Sequence, residues 1–178
     1  MALTLSQRLA GISLPDPDGQ KVRLGFLWAD SPAVVVFLRH YGCIFCRELV
    51  AHLRGKEAAF REAGACLAAI GLGDRAYARK FRAETGIGFP LLIDERREAY
   101  RAAGLRNASI LHLFRPTTAV ARSRARAGGH RQHRLGRNPF QLGGSFVFGP
   151  GNVDRYAYVS RTLGDNPDPA ALLAAIPR

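Results

Sequence analysis

The chain is short of cysteine, of lysine and of long apolar runs, and each shortage removes a class of protein. Three cysteines in 178 residues are too few, and of the wrong parity, for a disulfide-stapled scaffold. Such usage suits a reducing compartment, so a cytoplasmic location is expected. The most strongly apolar run, Ala33 to Leu38, falls far short of the roughly 20 residues that a spanning helix needs. No membrane partner is therefore expected. The residues before Pro15 hold one Arg and no apolar core, unlike a secretory leader. Lysine occurs only at positions 21, 56 and 80, so Arg supplies most of the net charge of +12. There is one C-x-x-C and no second. With only His130-x-x-His133 as a distant complement, a four-ligand zinc site is not favoured, and neither a metal nor a cofactor is expected.

What remains is ordinary for a globular chain of about one domain: 47% hydrophobic and 22% charged residues. Residues 1–178 are read as a single domain. Strand and helix signals alternate, which argues an α/β fold. Lys21–Leu24 is a short strand after an Asp-Gly turn. Ala33–Leu38 is a β-branched run of the kind that fills a central strand buried on both faces. A helix is expected from Cys43 to Glu62, ended by Gly64. Ala65–Ile70 is the next strand, and Asp74 caps a helix reaching Thr85. Phe89–Ile93 is apolar, and Asp94–Ala103 reads as helix. Ser145–Phe148 and Val153–Val159 make a hairpin around Gly-Pro-Gly-Asn, and Asp168–Ile176 is a last amphipathic helix. Residues 106–139 break this rhythm and are read as a basic insertion, partly helical or mobile, ahead of the C-terminal hairpin.

The chemistry concentrates in Val36-Phe-Leu-Arg-His-Tyr-Gly-Cys43-Ile-Phe-Cys46-Arg. A buried strand ends and a helix begins at Cys43. Unpaired N–H groups and the positive end of the helix dipole stabilise a thiolate there. Two intervening residues let the second sulfur reach the first, so a disulfide can form and be resolved. Arg39, His40 and Arg47 add positive charge nearby in sequence. Cys66, set between Ala65 and Leu67, reads as a packing residue, and His40 and His52 as surface or packing residues rather than catalytic bases.

Several stretches resemble a known family. Leu14-Pro15-Asp16-x-Asp18-Gly19 and Phe89-Pro90-Leu91-Leu92-x-Asp94 resemble the peroxiredoxin opening and its later strand-to-helix turn. Phe37-Leu-Arg-His-x-Gly-Cys-x-Phe-Cys-Arg47 is similar to the signature of the peroxiredoxin-like AhpC/TSA proteins that carry C-x-x-C. Gln141-Leu-Gly-Gly-x-Phe-Val147 and Gly164-Asp-x-Pro-Asp168 resemble their C-terminal landmarks. The likeness spans about Gly11 to Ile176 and is weakest between Arg106 and Pro139.

The resemblance implies a thioredoxin-like fold, with a central mixed sheet flanked by helices, and a thiol-dependent antioxidant activity. It also implies a peroxide or disulfide substrate and a thioredoxin- or glutathione-type thiol reductant. Laid on typical peroxiredoxins, Cys46 takes the peroxidatic position and Cys43 replaces a Thr or Ser. Arg39 then replaces a Pro, and Gly143 an Arg. Laid on thioredoxin, Cys43 is the exposed attacking thiol, Cys46 resolves, and Phe37 stands where a buried acid is usual. Gly144 there replaces the cis-Pro, so Gly143 and Gly144 leave an open backbone against which a substrate can lie.

Two other functions compete. A redox sensor on the same scaffold would be oxidised without turnover. A polyanion binder would use Arg115 to Arg137, with seven Arg and no acid. Aromatics lie only at that segment's margins, so nucleic acid is not favoured as a partner.

Overall fold

The computed structural model describes residues 2–136 and 138–177. Met1, Arg137 and Arg178 lie outside the described residues, and with Arg137 the last cation of the expected basic segment. A five-stranded mixed sheet runs in the order β5-β4-β3-β6-β7. Its strands are β3 (Ala33–Phe37), β4 (Cys66–Gly71), β5 (Leu91–Ile93), β6 (Gly144–Gly149) and β7 (Val153–Val159). β3 is parallel to β4, and β4 to β5; β6 is antiparallel to both β3 and β7. A separate two-stranded ribbon pairs β1 (Ser13–Pro15) with β2 (Lys21–Arg23). This is the expected thioredoxin-like α/β arrangement.

Side chains alternate along β3, and both faces are covered. Val34 and Val36 pack with α2 (Ile44–Gly55), α4 (Arg75–Thr85), α6 (Pro116–Ala127) and α7 (Pro169–Ala174). Ala33, Val35 and Phe37 pack with α1 (Leu5–Ala10), the 3-10 turn η1 (Leu24–Trp28) and α5 (Glu98–Ala102). Every β3 side chain is buried, which is why the strand reads as an unbroken apolar run rather than an alternating one. Each such Val contributes about 1.5–3 kcal/mol on leaving water. On the second face Phe37 meets Tyr100 and Phe146 edge-on, with ring centroids 5.1 and 5.6 Å apart.

Several expected boundaries shift for local reasons. The helix expected over Cys43–Glu62 is two helices, α2 and α3 (Glu57–Glu62), because the chain turns at Lys56 (φ −115°, ψ 6°) just after Gly55. The helix expected from Asp94 is only α5, because Arg97 is left-handed (φ 55°). The intervening turn is held by the Asp94 carboxylate, which accepts the N–H groups of Glu98, Ala99 and Tyr100. Asp74 caps α4 as expected, accepting from Tyr77 N at 2.7 Å. The basic segment folds into a 3-10 turn, η2 (Ile110–Phe114), followed by α6. There Arg124 makes a two-pronged ion pair, at 2.7 and 2.8 Å, with the buried Glu48 of α2.

Candidate thiol redox site

β3 delivers the chain to the site. Leu38 still bonds to Ile70 O at 2.7 Å, and a turn closed by Cys43 N to His40 O, at 3.1 Å, follows. Cys43 is the N-cap of α2, and Cys46 lies in its first turn. Cys46 N and Arg47 N both donate to Cys43 O at 3.1 Å, so this turn sets the relative position of the two thiols.

Arg39 holds both sulfurs. Its backbone N–H donates to Cys46 Sγ at 3.1 Å, and its Nη1 donates to Cys43 Sγ at 3.2 Å. The rest of the guanidinium donates to Gln141 O, at 3.0 Å, and to Pro139 O. The fork is therefore anchored by carbonyls and free to present one N–H to Cys43. Burial pushes the Cys43 thiol up, but three influences overcome it and bring it down to about 6: the bond from the Cys46 thiol, the Arg39 charge, and the amides of Cys46 and Phe45. Cys46 goes the other way, raised by burial and by its neighbour Cys43. The two thiols are thus driven apart, one toward thiolate and one toward thiol.

Four expectations are corrected. Cys43 and Cys46 are only 0% and 4% exposed, so the attacking thiol expected to be exposed is covered. His40 adds no positive charge, since burial and the adjacent Arg39 lower it to about 4 and leave the ring neutral near pH 7. Arg47 faces away from the sulfurs, because one step along α2 turns it toward α4. It pairs there with Glu84 at 2.7 Å and lies over the Phe81 ring, 5.3 Å from its centroid. Cys66, expected in mid-strand, opens β4 half-buried, and its thiol donates to Leu27 O at 3.1 Å.

Gly143 and Gly144 lie at the start of β6 beside the end of β3, but both are buried, so the open backbone expected there is closed by packing. A Cβ at Gly143 would collide with Phe37 O, and one at Gly144 would stand 3.0 Å from Tyr158 O. Close backbone approach, rather than turn conformation, requires glycine at both.

The cover over the thiols is a strap, residues 131–136, that sequence reasoning did not place. Gln132 Nε2 donates to Gly42 O at 2.6 Å, and its Oε1 accepts Ile44 N at 3.2 Å. His133 N also donates to Gly42 O, at 2.9 Å. Tyr77 OH donates to Arg134 O at 2.8 Å. Gly42 must be glycine here, because a Cβ would strike Arg134 O. Gln132 thus satisfies an otherwise orphaned N–H of α2. Nothing in the composition of the basic segment marks it for that role.

Beside the strap is a cleft of about 400 Å³. Ile44, Phe45, Phe140 and Leu163 supply apolar wall, and Arg122 and Arg126 line it too. Arg39 forms part of its wall, which links the cleft to the Cys43 sulfur.

This fold, with paired thiols at the first turn of a helix, defines a thioredoxin-like thiol oxidoreductase. The profile of the family described as AhpC/TSA antioxidant enzyme matches residues 52–162, and the chain belongs to that family. The match begins past both thiols, so the pair itself rests on the geometry above. A chloroplastic thioredoxin-like protein AAED1 from Arabidopsis thaliana is 29% identical over 174 residues, covering 92% of this chain and 69% of that one. Human peroxiredoxin-like 2C is 28% identical over 171 residues, covering 91% and 76%. Among solved structures, peroxiredoxin Q of Xanthomonas campestris aligns with a TM-score of 0.71 at 18% identity, over 98% of this chain and 95% of its own; it supports the fold. The protein is accordingly a thiol-dependent antioxidant oxidoreductase, with a peroxide as substrate and a thiol as reductant. Among the described residues, no helix is long and apolar enough to cross a membrane.

Proposed function

We propose that Cys43 and Cys46 are the redox pair, with Cys43 the attacking thiolate and Cys46 the resolving thiol. The observation that carries this is the Arg39 Nη1–H donated to Cys43 Sγ at 3.2 Å, on the one sulfur of the pair that is held low. The Cys43 thiolate attacks one oxygen of a hydroperoxide. The S–O bond forms as the O–O bond breaks, and the departing alkoxide takes a proton to leave as alcohol. Cys46 then loses its proton and attacks the Cys43 sulfenic acid; water leaves and an S–S bond forms. A thioredoxin-type dithiol or glutathione returns two electrons and two protons, consistent with work in a reducing, cytoplasmic compartment.

Arg39 does here what an Arg and a Thr or Ser do in typical peroxiredoxins. Gly143 and Gly144 let β6 pack closely against Phe37 O and Tyr158 O behind the site rather than leaving room for substrate. His40 and Arg47 act indirectly, His40 as a neutral wall and Arg47 by tying α2 to α4 through Glu84. The neighbouring cleft favours an organic hydroperoxide with an apolar body and an acidic group. Residues 1–178 are read as one domain, with 106–139 an insertion docked on α2 through Arg124 and Glu48.

A disulfide substrate is the second reading. It is favoured by the polarity of the pair, in which the first cysteine of the C-x-x-C is the activated one. Turnover of hydroperoxide and of a small-molecule disulfide, followed by consumption of thiol reductant, tests both. The Cys43→Ser, Cys46→Ser protein should consume nothing; retained turnover with either substrate would rule out the pair.

A further inference from the structure

Helix α6 buries Thr118, Ala121 and Ala125 against the body of the protein. At about 100° per residue the opposite side carries Pro116, Ala119, Val120, Ser123 and Ala127. That side is uncharged, and its Val120 is 68% exposed. The preceding turn η2 adds Ile110, Leu111 and Phe114, exposed by 61%, 69% and 80%. Large apolar side chains this exposed, clustered in one short stretch of chain, mark a surface meant to be covered.

The charge around them indicates what covers it. From Ala99 to Val153 the chain contains no acidic residue. Arg124 is neutralised by Glu48, but among the described residues Arg115, Arg122 and Arg126 have no ion-pair partner. A second copy of this chain would set these cations against themselves. Nucleic acid would satisfy the cations and gain little from Ile110, Leu111, Phe114 and Val120. An anionic phospholipid surface suits both sets, with apolar side chains at the headgroup–acyl boundary and arginines at the phosphates.

We infer that the η2–α6 face docks on anionic phospholipid membranes. The expectation of no membrane partner came from the want of a spanning segment, which a helix lying on a surface does not need. Arg122 and Arg126 belong also to the cleft beside Arg39, so docking would set that cleft next to lipid. The inference stands apart from the thiol chemistry.

Flotation of the full chain with vesicles tests it. The protein should float with phosphatidylcholine–phosphatidylserine vesicles and not with phosphatidylcholine alone, and added salt should weaken binding. In Phe114→Trp protein the indole emission should shift to the blue on those vesicles. The Leu111→Ser, Phe114→Ser variant should lose about tenfold or more in vesicle affinity, with hydrogen peroxide turnover unchanged. No flotation, or flotation undiminished in the serine variant, would overturn the inference. So would a wild-type dimer that becomes a monomer in that variant. Nucleic-acid binding shared equally by wild type and variant, without vesicle binding, would overturn it too.

Discussion

The Arg39 guanidinium donates to Cys43 Sγ at 3.2 Å while being anchored behind by the carbonyls of Gln141 and Pro139. One side chain therefore both charges the thiol environment and ties it to the loop before β6. Removing the charge should release the Cys43 thiol upward. Rates of alkylation against pH should rise through about 6 in the wild type, rather than near the ordinary 9.0. Thiolate, and hence rate, is lost below that midpoint and saturates above it. In Arg39→Met the midpoint should climb by about 1–3 units, and at neutral pH the rate should fall accordingly.

The strap should control access. Gln132→Ala removes the bonds to Gly42 O and Ile44 N, and Gly42→Ala drives a methyl into Arg134 O. Both variants should react several-fold faster (on the order of the weight of one or two hydrogen bonds) with a bulky disulfide reagent, measured by thiolate release. Unchanged rates in both would show that the strap does not limit access.

The cleft should select by charge. With a carboxylate-bearing hydroperoxide, Arg122→Ala and Arg126→Ala should each raise KM by about five- to tenfold. With cumene hydroperoxide or hydrogen peroxide, KM should stay near the wild-type value. Equal effects on all three peroxides would remove the acidic group from the proposed substrate.

His40 should make the protein acid-sensitive. Its pKa is lowered from 6.5 to about 4 by burial and Arg39, so the unfolded chain takes a proton more readily than the folded one. Stability present above pH 6.5 should be lost as pH falls toward about 4, by about 3 kcal/mol in all. Urea midpoints across that range should flatten in His40→Gln. An unaltered slope would assign the acid sensitivity to other groups.

Much of this was legible in the sequence where local chemistry decides. Ala33–Phe37 could be read as a central strand because both faces of β3 are covered. Asp74 could be read as a cap because its carboxylate meets a first-turn N–H group. The C-x-x-C pair at a helix start was legible for the same reason. The strap was not, since it holds the site through the carbonyls of Gly42 and Arg134, which every residue possesses. Nor was the charge of His40, which depends on its burial beneath Gly136. Arg47 adjoins Cys46 in sequence, yet the helix turns it toward Glu84.

The central claim is that Cys43, held low beside Arg39, attacks first. The direct measurement is sulfenic-acid trapping and mass spectrometry on Cys43→Ser and Cys46→Ser proteins after one equivalent of peroxide. The account predicts a trapped sulfenic acid on Cys43 in the Cys46→Ser protein and slow or no trapping in Cys43→Ser. Rapid trapping on Cys46 in the Cys43→Ser protein, with Cys43 unreactive in the other, would contradict it and return the attack to the peroxiredoxin position.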